Sequence, residues 1–365
     1  MKNVLGLINL YENEEELNKL TRHRPLAAIP FGGRYRIIDF ILSNMTNSGI
    51  VNVGVIVPDK YRPLMDHLRS GREWDLARKQ DGLFILPPAQ AQGVLKSDIQ
   101  HLYNHLDYIK RSPQQYVIIA GSQIICNIDL TAVFNSHIDT NADITVVYRE
   151  APKKMIYTGA NMEFKNSRLI NMEINLMRPQ KGAQGLDIYV MSKALFIDII
   201  EHAVAQGNFN FVKDGIIKNL DRYQVRGYLY KGYTARIDSI NSYYKYNMDL
   251  LSSTYWHELF KQRPIFTKVK DEIPTAYSEG ANINNSLVAC GCIIEGTVEN
   301  SIIFRGVRIH KGAVVKNSII MQKSEIHEEA ELNYVICDKD TKIGPSKSIK
   351  GEENYIVLIE KGRVI

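Results

Sequence analysis

The chain has 365 residues, of which 45% are hydrophobic and 23% are charged. This length is sufficient for two domains, and the composition is that of an ordinary globular protein rather than a disordered or fibrous one. The net charge of +5 is spread along the sequence, which argues against nucleic acid as a partner and is equally compatible with small anionic ligands.

The first residues do not resemble a secretory signal, because the short apolar stretch 4–10 is followed at once by acidic residues. The sequence contains no run of about 20 apolar residues, so it does not predict a membrane span. The cysteines form no CxxC pair, and the spacing of Cys290 and Cys292 is not that of a zinc site. We therefore expect buried free thiols and a cytoplasmic protein without membrane partners.

Strand and helix signals alternate through the first 150 residues. β-Branched runs predict buried strands, and apolar residues at helical intervals predict helices. The predicted elements are strands at 51–57, 116–120 and 142–148 and helices at 97–109 and 130–136. This alternation indicates an α/β, Rossmann-like domain with a mostly parallel sheet. Ligands bind beyond the carboxyl ends of such strands, so chemistry is expected at the loop 121–123.

A repeat occupies the last part of the chain. Four segments start alike, at Asn285, Asn300, Asn317 and Asn333, and apolar residues recur between them about every six positions. This spacing is typical of a left-handed parallel β-helix with asparagine and glycine at its corners. An ordinary β-sandwich is the alternative. We predict four coils and a tail, 355–365, that closes as a hairpin.

The regions between these patterns predict the domain boundary. A helix-like stretch at 239–259 precedes a proline-containing linker at 263–283. We therefore predict an α/β domain over 1–262, the linker, and the β-helix over 284–365.

The segment 29–49, Ile-Pro-Phe-Gly-Gly-Arg-Tyr-Arg-Ile-Ile-Asp-Phe-Ile-Leu-Ser-Asn-Met-Thr-Asn-Ser-Gly, closely resembles the signature of glucose-1-phosphate adenylyltransferases (ADP-glucose pyrophosphorylases). Further segments match the same family in order, at 70–76, 85–88, 92–93, 211–214 and 242–251. The resemblance covers nearly the whole chain and is strongest to the D-type accessory subunits of bacterial glycogen operons. It implies a nucleotidyltransferase domain, a terminal β-helix, and the reaction of ATP with glucose 1-phosphate to give ADP-glucose and pyrophosphate.

The resemblance also identifies what the chain lacks. Active members need a glycine-rich phosphate loop, a lysine that offsets phosphate charge and two aspartates that hold Mg²⁺. The corresponding loop here, 5–17, has Gly6 as its single glycine and carries four glutamates. The match puts Leu26 at the lysine position and Ser122 and Arg236 at the aspartate positions. A guanidinium group repels a divalent cation, so we predict no intact catalytic residue and no metal.

Part of the substrate side matches the family. The family's Glu-Lys-Pro motif appears as Met-Arg-Pro at 177–179, and Lys213-Asp214 is unchanged. The candidate substrate-binding residues are Arg178, Lys213, Asp214, Gln92 and Gly93. The alternatives are that Arg178 is a solvated surface charge and that Lys213 and Asp214 form an ion pair on a helix.

Basic residues suggest a second anionic ligand. The candidate effector-binding residues are Arg34, Arg36, Arg62 and Arg72. The alternative is that they are surface charges or structural partners of Asp39 and Asp75.

We therefore expect a catalytically deficient regulatory subunit that assembles with a catalytic adenylyltransferase, in a mixed tetramer, and needs no cofactor of its own. One alternative is a slow enzyme that uses Arg24, Asp238 and Lys213, for which Mg²⁺ would be required; another is a stand-alone sensor of sugar phosphates or nucleotides. A hexapeptide-repeat acyltransferase is not expected, because His310 and His327 fall on only four coils, at what we interpret as solvated turns.

Overall fold

The computed structural model describes residues 1–88, 97–150, 159–174 and 182–365. They form two compact units. The α/β unit comprises Met1–Glu12, Phe40–Thr234 and Arg263–Phe266. The β-helix unit comprises Asn13–Asp39, Ala235–Gln262 and Thr267–Ile365. Within the described ranges, none of the helices combines the length and apolar character that a bilayer crossing requires.

The strands before residue 240 are β1 (Val4–Asn9), β2 (Pro30–Phe31), β3 (Tyr35–Arg36), β4 (Asn52–Ile56), β5 (Gly82–Leu86), β6 (Tyr116–Ala120), β7 (Ile124–Cys126), β8 (Ile144–Glu150), β9 (Ala160–Lys165), β10 (Arg168–Ile174), β11 (Ala183–Ser192), β12 (Val225–Leu229) and β13 (Thr234–Arg236). The helices are α1 (Asn18–Thr21), α2 (Ile37–Asn47), α3 (Arg62–Leu68), α4 (Asp98–Asn104), α5 (Leu106–Arg111), α6 (Leu130–Asp139), α7 (Lys193–Ala205), α8 (Ile240–Met248) and α9 (Ser253–Phe260). Short 3₁₀ turns lie at Glu15–Leu17, Leu26–Ala28, Arg72–Trp74, Ile217–Asn219 and Asp249–Leu251, and a π-helical turn lies at Phe211–Ile216.

The α/β unit is built on a central sheet with the strand order β5-β4-β1-β6-β11-β8-β12-β10-β9 among the described residues. The pairs from β5 to β6 are parallel, as is β8 with β12, whereas β11 runs antiparallel to both β6 and β8. The predicted Rossmann-like sheet is confirmed, with β11 inserted against its direction. The apolar runs of β1, β4 and β6 are buried almost throughout, as strands covered on both faces must be.

The predicted helix at 97–109 is two helices, because the chain bends at His105 between α4 and α5. Its start is as expected, since the Ser97 hydroxyl accepts a hydrogen bond from the backbone N–H of Gln100 at 3.1 Å. The stretch 239–259 also divides. Ser239 caps α8, and the 3₁₀ turn Asp249–Leu251 separates α8 from α9.

The β-helix contains fifteen strands: β14 (Ala276–Tyr277), β15 (Asn282–Asn284), β16 (Leu287–Val288), β17 (Ile293–Ile294), β18 (Thr297–Glu299), β19 (Ile302–Ile303), β20 (Arg308–Ile309), β21 (Val314–Lys316), β22 (Ile319–Ile320), β23 (Glu325–Ile326), β24 (Glu331–Asn333), β25 (Val335–Cys337), β26 (Lys342–Ile343), β27 (Ser348–Lys350) and β28 (Val357–Ile359). They form the three parallel sheets of a left-handed β-helix, with five strands in each sheet over 276–359, a fully described range. The predicted β-helix is therefore confirmed, and the sandwich is excluded.

The corners and the core of the β-helix follow from its repeat. Asn285, Asn300 and Asn317 adopt left-handed backbone conformations with φ of 42° to 46°, which asparagine tolerates better than most residues. At the fourth corner the left-handed residue is Tyr334, one position after the predicted Asn333. The aliphatic residue in the middle of each coil face is buried, as in Ile303, Ile309, Val315, Ile320, Ile326 and Leu332.

The structure differs from the predicted boundaries in three places. Over 276–359, where every residue is described, there are five coils rather than four, because β14 lies inside the expected linker 263–283. The segments 13–39 and 235–262, expected in the α/β domain of 1–262, cluster with the β-helix instead. The tail is not a hairpin. β28 pairs in parallel with β25, and Val364 bridges Lys342 in parallel, so the last residues continue the coils.

Candidate functional site

The loop after β6 is where the sequence predicts chemistry, and the structure fills it with a glutamate. The backbone N–H groups of Ser122 and Gln123 each donate to Oε1 of Glu12 at 2.6 Å, and the Ser122 hydroxyl donates to Oε2 at 2.7 Å. A Cβ added at Gly121 would lie 2.7 Å from the same carboxylate. Glu12 therefore closes the loop 121–123, and we call this arrangement the Glu12 plug.

The electrostatics of the plug are those of an anion site. Two backbone N–H dipoles converge on one carboxylate oxygen, which makes this loop a nest for negative charge. Burial raises the pKa of Glu12 to about 7, opposed by the hydrogen bonds from Ser122 and Gln123 and assisted by Asp187. The converging N–H groups disfavour a cation, so the residues of this loop do not fit the Mg²⁺ that catalysis by this route requires.

The segment that leads into the plug is anchored on both sides. The ring of Tyr11 stacks on His101, with ring centroids 3.7 Å apart, and its hydroxyl donates to the carbonyl oxygen of Val57 at 3.3 Å. Gly6, the only glycine left from the family's phosphate loop, lies inside β1, where an added Cβ would meet Met45 at 2.8 Å. This glycine therefore serves helix packing rather than phosphate binding.

The other two degenerate positions lie in the β-helix unit. Leu26 is fully buried, and its backbone N–H donates to Oε1 of Glu14 at 2.6 Å. Arg236 ends β13 and is also buried. Asp238 lies beyond the strand, where its N–H donates to the Ser242 hydroxyl at 3.0 Å ahead of α8. The strand β13 therefore ends two residues before Asp238.

Arg24 forms a buried ion pair with Asp338. One of its guanidinium nitrogens lies 2.7 Å from both carboxylate oxygens of Asp338, and both side chains are about 5% exposed or less. A buried pair of this kind holds the guanidinium group against its carboxylate. Arg24 is therefore a poor substitute for the missing lysine.

The retained Lys213-Asp214 motif lies in the π-helical turn, but Asp214 is used by its neighbours. It accepts hydrogen bonds from the backbone N–H groups of Phe209 and Asn210, and it pairs with Lys218 at 2.7 Å rather than with Lys213. Burial works against ionisation of Asp214, yet the Lys218 and backbone hydrogen bonds hold its pKa below the ordinary value. Lys213 is exposed. Arg178, Gln92 and Gly93 lie outside the described residues.

The predicted effector residues divide between the units. Arg62 and Arg72 are exposed residues of the α/β unit, and Asp75 pairs with Arg78 instead of either. In the β-helix unit, Arg34 precedes β3 and Arg36 is its last residue, and Asp39 accepts a hydrogen bond from the Arg36 backbone N–H at 2.9 Å. Each unit therefore carries two of the four predicted arginines.

Arg34 and Arg36 belong to a larger basic group within the β-helix unit, which we call the cationic cluster. Its members interact electrostatically with one another, and they are Arg34, Arg36, Lys270, Arg305 and Lys339. Burial and the charges of Arg36 and Arg24 lower the pKa of Lys339 to about 7. Burial and Arg305 likewise lower the pKa of Lys270. Sequence reasoning missed Lys270, Arg305 and Lys339, because they are distant from Arg34 and Arg36 along the chain.

Comparisons with known proteins agree with this architecture. The nucleotidyl transferase family matches residues 15–157, and the GlmU-like C-terminal hexapeptide family matches residues 273–355. The chain is 38% identical to the glycogen biosynthesis protein GlgD of Bacillus subtilis (strain 168), over 99% of this chain and 96% of that protein. It is 40% identical to GlgD of Geobacillus stearothermophilus, over 99% and 97%. It is 30% identical to the glucose-1-phosphate adenylyltransferase of Bacillus cereus (strain Q1), over 95% of both chains.

Proposed function

Because this chain belongs to the family of glucose-1-phosphate adenylyltransferases and GlgD glycogen biosynthesis proteins, we propose that it is a catalytically deficient regulatory subunit of glycogen biosynthesis. The observation that carries the proposal is the Glu12 plug. A carboxylate of the chain itself accepts hydrogen bonds from the N–H groups of Ser122 and Gln123, in the loop where the family resemblance implies a metal-binding aspartate.

Each of the three degenerate catalytic positions has a physical obstacle. The plug replaces an aspartate with a closed anion nest, Leu26 is an aliphatic residue in the core, and Arg236 brings positive charge where a metal ligand is needed. Loss of one electrostatic group costs about 10²–10³ in rate, and groups that act together fail together. Turnover near the uncatalysed background follows.

The deficiency is tested by incubating the purified chain with ATP, glucose 1-phosphate and Mg²⁺ and measuring pyrophosphate. The expected result is no release above the blank. The variant Glu12→Ala, which opens the nest, is expected to stay inactive because Leu26 and Arg236 are unchanged. Steady pyrophosphate release by the wild type, abolished by Lys213→Ala or Asp238→Asn, would instead support the slow-enzyme alternative.

The regulatory role requires a partner, and we propose a catalytic glucose-1-phosphate adenylyltransferase subunit in a mixed tetramer. Retention of a complete β-helix and of the segment 29–49 beside an emptied site supports this role, since both contribute to the fold rather than to the lost chemistry. Co-expression with a catalytic subunit, followed by size-exclusion chromatography with light scattering, is expected to give one mixed species with altered turnover. Separate elution and unchanged kinetics of the partner would refute the proposal.

A sensor function is the second candidate, and the cationic cluster favours it. Burial and neighbouring positive charges lower the pKa values of Lys339 and Lys270, and an anion with several phosphate oxygens would stabilise the charged form of both. We propose that this cluster binds the anionic effector of the assembled protein. Calorimetry with fructose bisphosphate, AMP and ADP-glucose tests it: binding to the wild type and to Arg62→Ala, lost in Arg36→Ala, is expected. Absence of heat with all three ligands would remove the effector site.

A further inference from the structure

Two histidines and a glutamate converge on one outer face of the β-helix. Among the described residues, His310, Glu325 and His327 form the one group of three potential metal-binding side chains whose ligand atoms all lie within 4.8 Å of one another. The imidazole rings of His310 and His327 stack, with centroids 4.9 Å apart and planes inclined by 9°. They are not solvated turn residues, because their side chains are only 16% and 30% exposed.

Their proximity follows from the repeat. β20 and β23 pair in parallel with Arg308 opposite Glu325 and Ile309 opposite Ile326, so residues at the same place in successive coils stack above one another. His310 and His327 each follow an inward-pointing isoleucine, and both side chains therefore leave the same face. The stacking is thus fixed by the backbone register of two coils.

The two nitrogens of each ring face different carboxylates. Nε2 lies on the Glu325 side in both histidines, at 3.0 Å from Oε1 for His310 and 3.9 Å from Oε2 for His327. Nδ1 lies on the Glu328 side in both, at 3.3 Å and 3.8 Å. Metal-binding histidines use one nitrogen for the metal and donate the other N–H to a carboxylate, and Glu328 lies near Nδ1 of both rings for that role.

We propose that His310, His327 and Glu325 form a binding site for a divalent transition metal of the zinc class, which clips two successive coils of the β-helix together. Nε2 of each histidine and Oε1 of Glu325 are the ligands, and Glu328 accepts the Nδ1–H of both rings. Two imidazoles with a carboxylate favour Zn²⁺ over Mg²⁺ or Ca²⁺, which prefer oxygen ligands throughout. This proposal departs from the sequence-based expectation that the chain holds no metal.

The surrounding charges are consistent with a cation. Glu295 approaches Nδ1 of His310 to 3.9 Å, so three carboxylates surround the two rings. Lys342 lies 3.5 Å from Oε2 of Glu325, which leaves Oε1 for the metal. Tetrahedral zinc requires ligand atoms about 3.3 Å apart, so the nearly parallel rings must tilt toward one ion when it binds.

The test uses the full chain without a polyhistidine tag, freed of metal with a chelator and then dialysed against Zn²⁺. Metal content is measured by atomic emission. One zinc per chain is expected for the wild type. His310→Ala and His327→Ala should each weaken binding by more than the roughly 10–100-fold that loss of an outer carboxylate costs, whereas Glu328→Gln should fall within that range.

The matched control is His202→Ala, which removes a histidine from the helix α7 of the α/β unit and should leave zinc binding unchanged. Circular dichroism establishes that each variant is folded, and His310→Gln replaces His310→Ala if the latter is not. Substitution with Co²⁺ adds a spectroscopic readout, since its visible absorption depends on the coordination geometry. Wild-type protein that retains no more zinc than the His310→Ala/His327→Ala double variant would overturn the proposal.

Discussion

Arg24 and Asp338 form a buried ion pair that joins the segment before β2 to the last coils of the β-helix. A single guanidinium nitrogen lies 2.7 Å from both carboxylate oxygens, and neither side chain is more than 5% exposed. Removing one member leaves a buried charge without its partner, which typically costs about 3–5 kcal/mol. The pair therefore holds the β-helix unit together from within.

We expect Arg24→Ala and Asp338→Ala each to lower the free energy of unfolding by about 3–5 kcal/mol, measured by urea denaturation. The double variant Arg24→Met/Asp338→Leu should recover most of this loss, because no buried charge remains. The control is Arg22→Ala, which removes the exposed Arg22–Glu360 pair and should cost about 1 kcal/mol or less. Equal losses in Arg22→Ala and Arg24→Ala would contradict the role assigned to the buried pair.

Glu12 predicts a specific pH dependence of stability. Burial raises its pKa from 4.5 to about 7 in the folded chain, so the folded state binds more protons than the unfolded state between these values. The stabilising contribution is complete below about pH 4.5 and is lost as the pH rises through about 7. Between mildly acidic and mildly alkaline pH, the wild type should lose about 2–3 kcal/mol more than Glu12→Gln.

This pH dependence is measured as urea midpoints across the pH range. The matched control, Glu16→Gln, removes an exposed glutamate from the same acidic segment and should follow the wild type. A wild-type profile that is parallel to that of Glu12→Gln would show that the carboxylate is not buried in the nest.

Lys339 predicts proton uptake when an anion binds. Its pKa of about 7 results from burial and from Arg36 and Arg24, so part of the population is neutral at physiological pH. A bound phosphate group stabilises the charged form, and its affinity should therefore weaken as the pH rises through about 7. Calorimetry with an anionic ligand in two buffers of different ionisation enthalpy should give different observed heats. Lys339→Arg should bind with the same heat in both, and equal heats for the wild type would contradict the prediction.

The left-handed backbone of Asn317 predicts how substitutions at a β-helix corner change the free energy of unfolding. Its φ of 45° is unfavourable for residues with a Cβ, and its side chain donates to Oδ1 of Asn333 at 2.9 Å. Asn317→Ala should lower the free energy of unfolding by about 1–2 kcal/mol, and Asn317→Gly by less, because glycine adopts this conformation freely. Lys311→Ala, at an exposed position of the same unit, should stay within about 0.5 kcal/mol of the wild type. Thermal or urea unfolding separates the three.

Some elements could be predicted from local sequence because local sequence determines them. The strand at 116–120 is the observed β6 residue for residue, since its β-branched run has no competing helical period. The corners at Asn285, Asn300 and Asn317 followed from the repeat, because their backbone geometry selects asparagine. The first coil was missed because its first strand lacks the local pattern on which the prediction depends. Ala276 and Tyr277 of β14 are exposed and carry no inward aliphatic residue, so the hexapeptide pattern is absent there.

Other features depend on residues that are distant in the chain. The acidic run after β1 predicts repulsion of phosphate, but the turn of Glu12 into the nest depends on the N–H groups of Ser122 and Gln123. An apolar run at 357–359 is compatible with either strand direction, and only the pairing of β28 with β25 distinguishes them. His310 and His327 are neighbours because they occupy the same place in successive coils of the β-helix. Their contact therefore depends on how many residues each coil contains.

The position of β1 in the centre of the sheet has a consequence during synthesis. β1 pairs with β4 on one side and with β6 on the other, and the register joins Val4 to Tyr116. A nascent chain therefore leaves one edge of β1 unpaired until β6 has left the ribosome. Parallel pairing over such a distance is slow, and the waiting edge is a template for association with other chains.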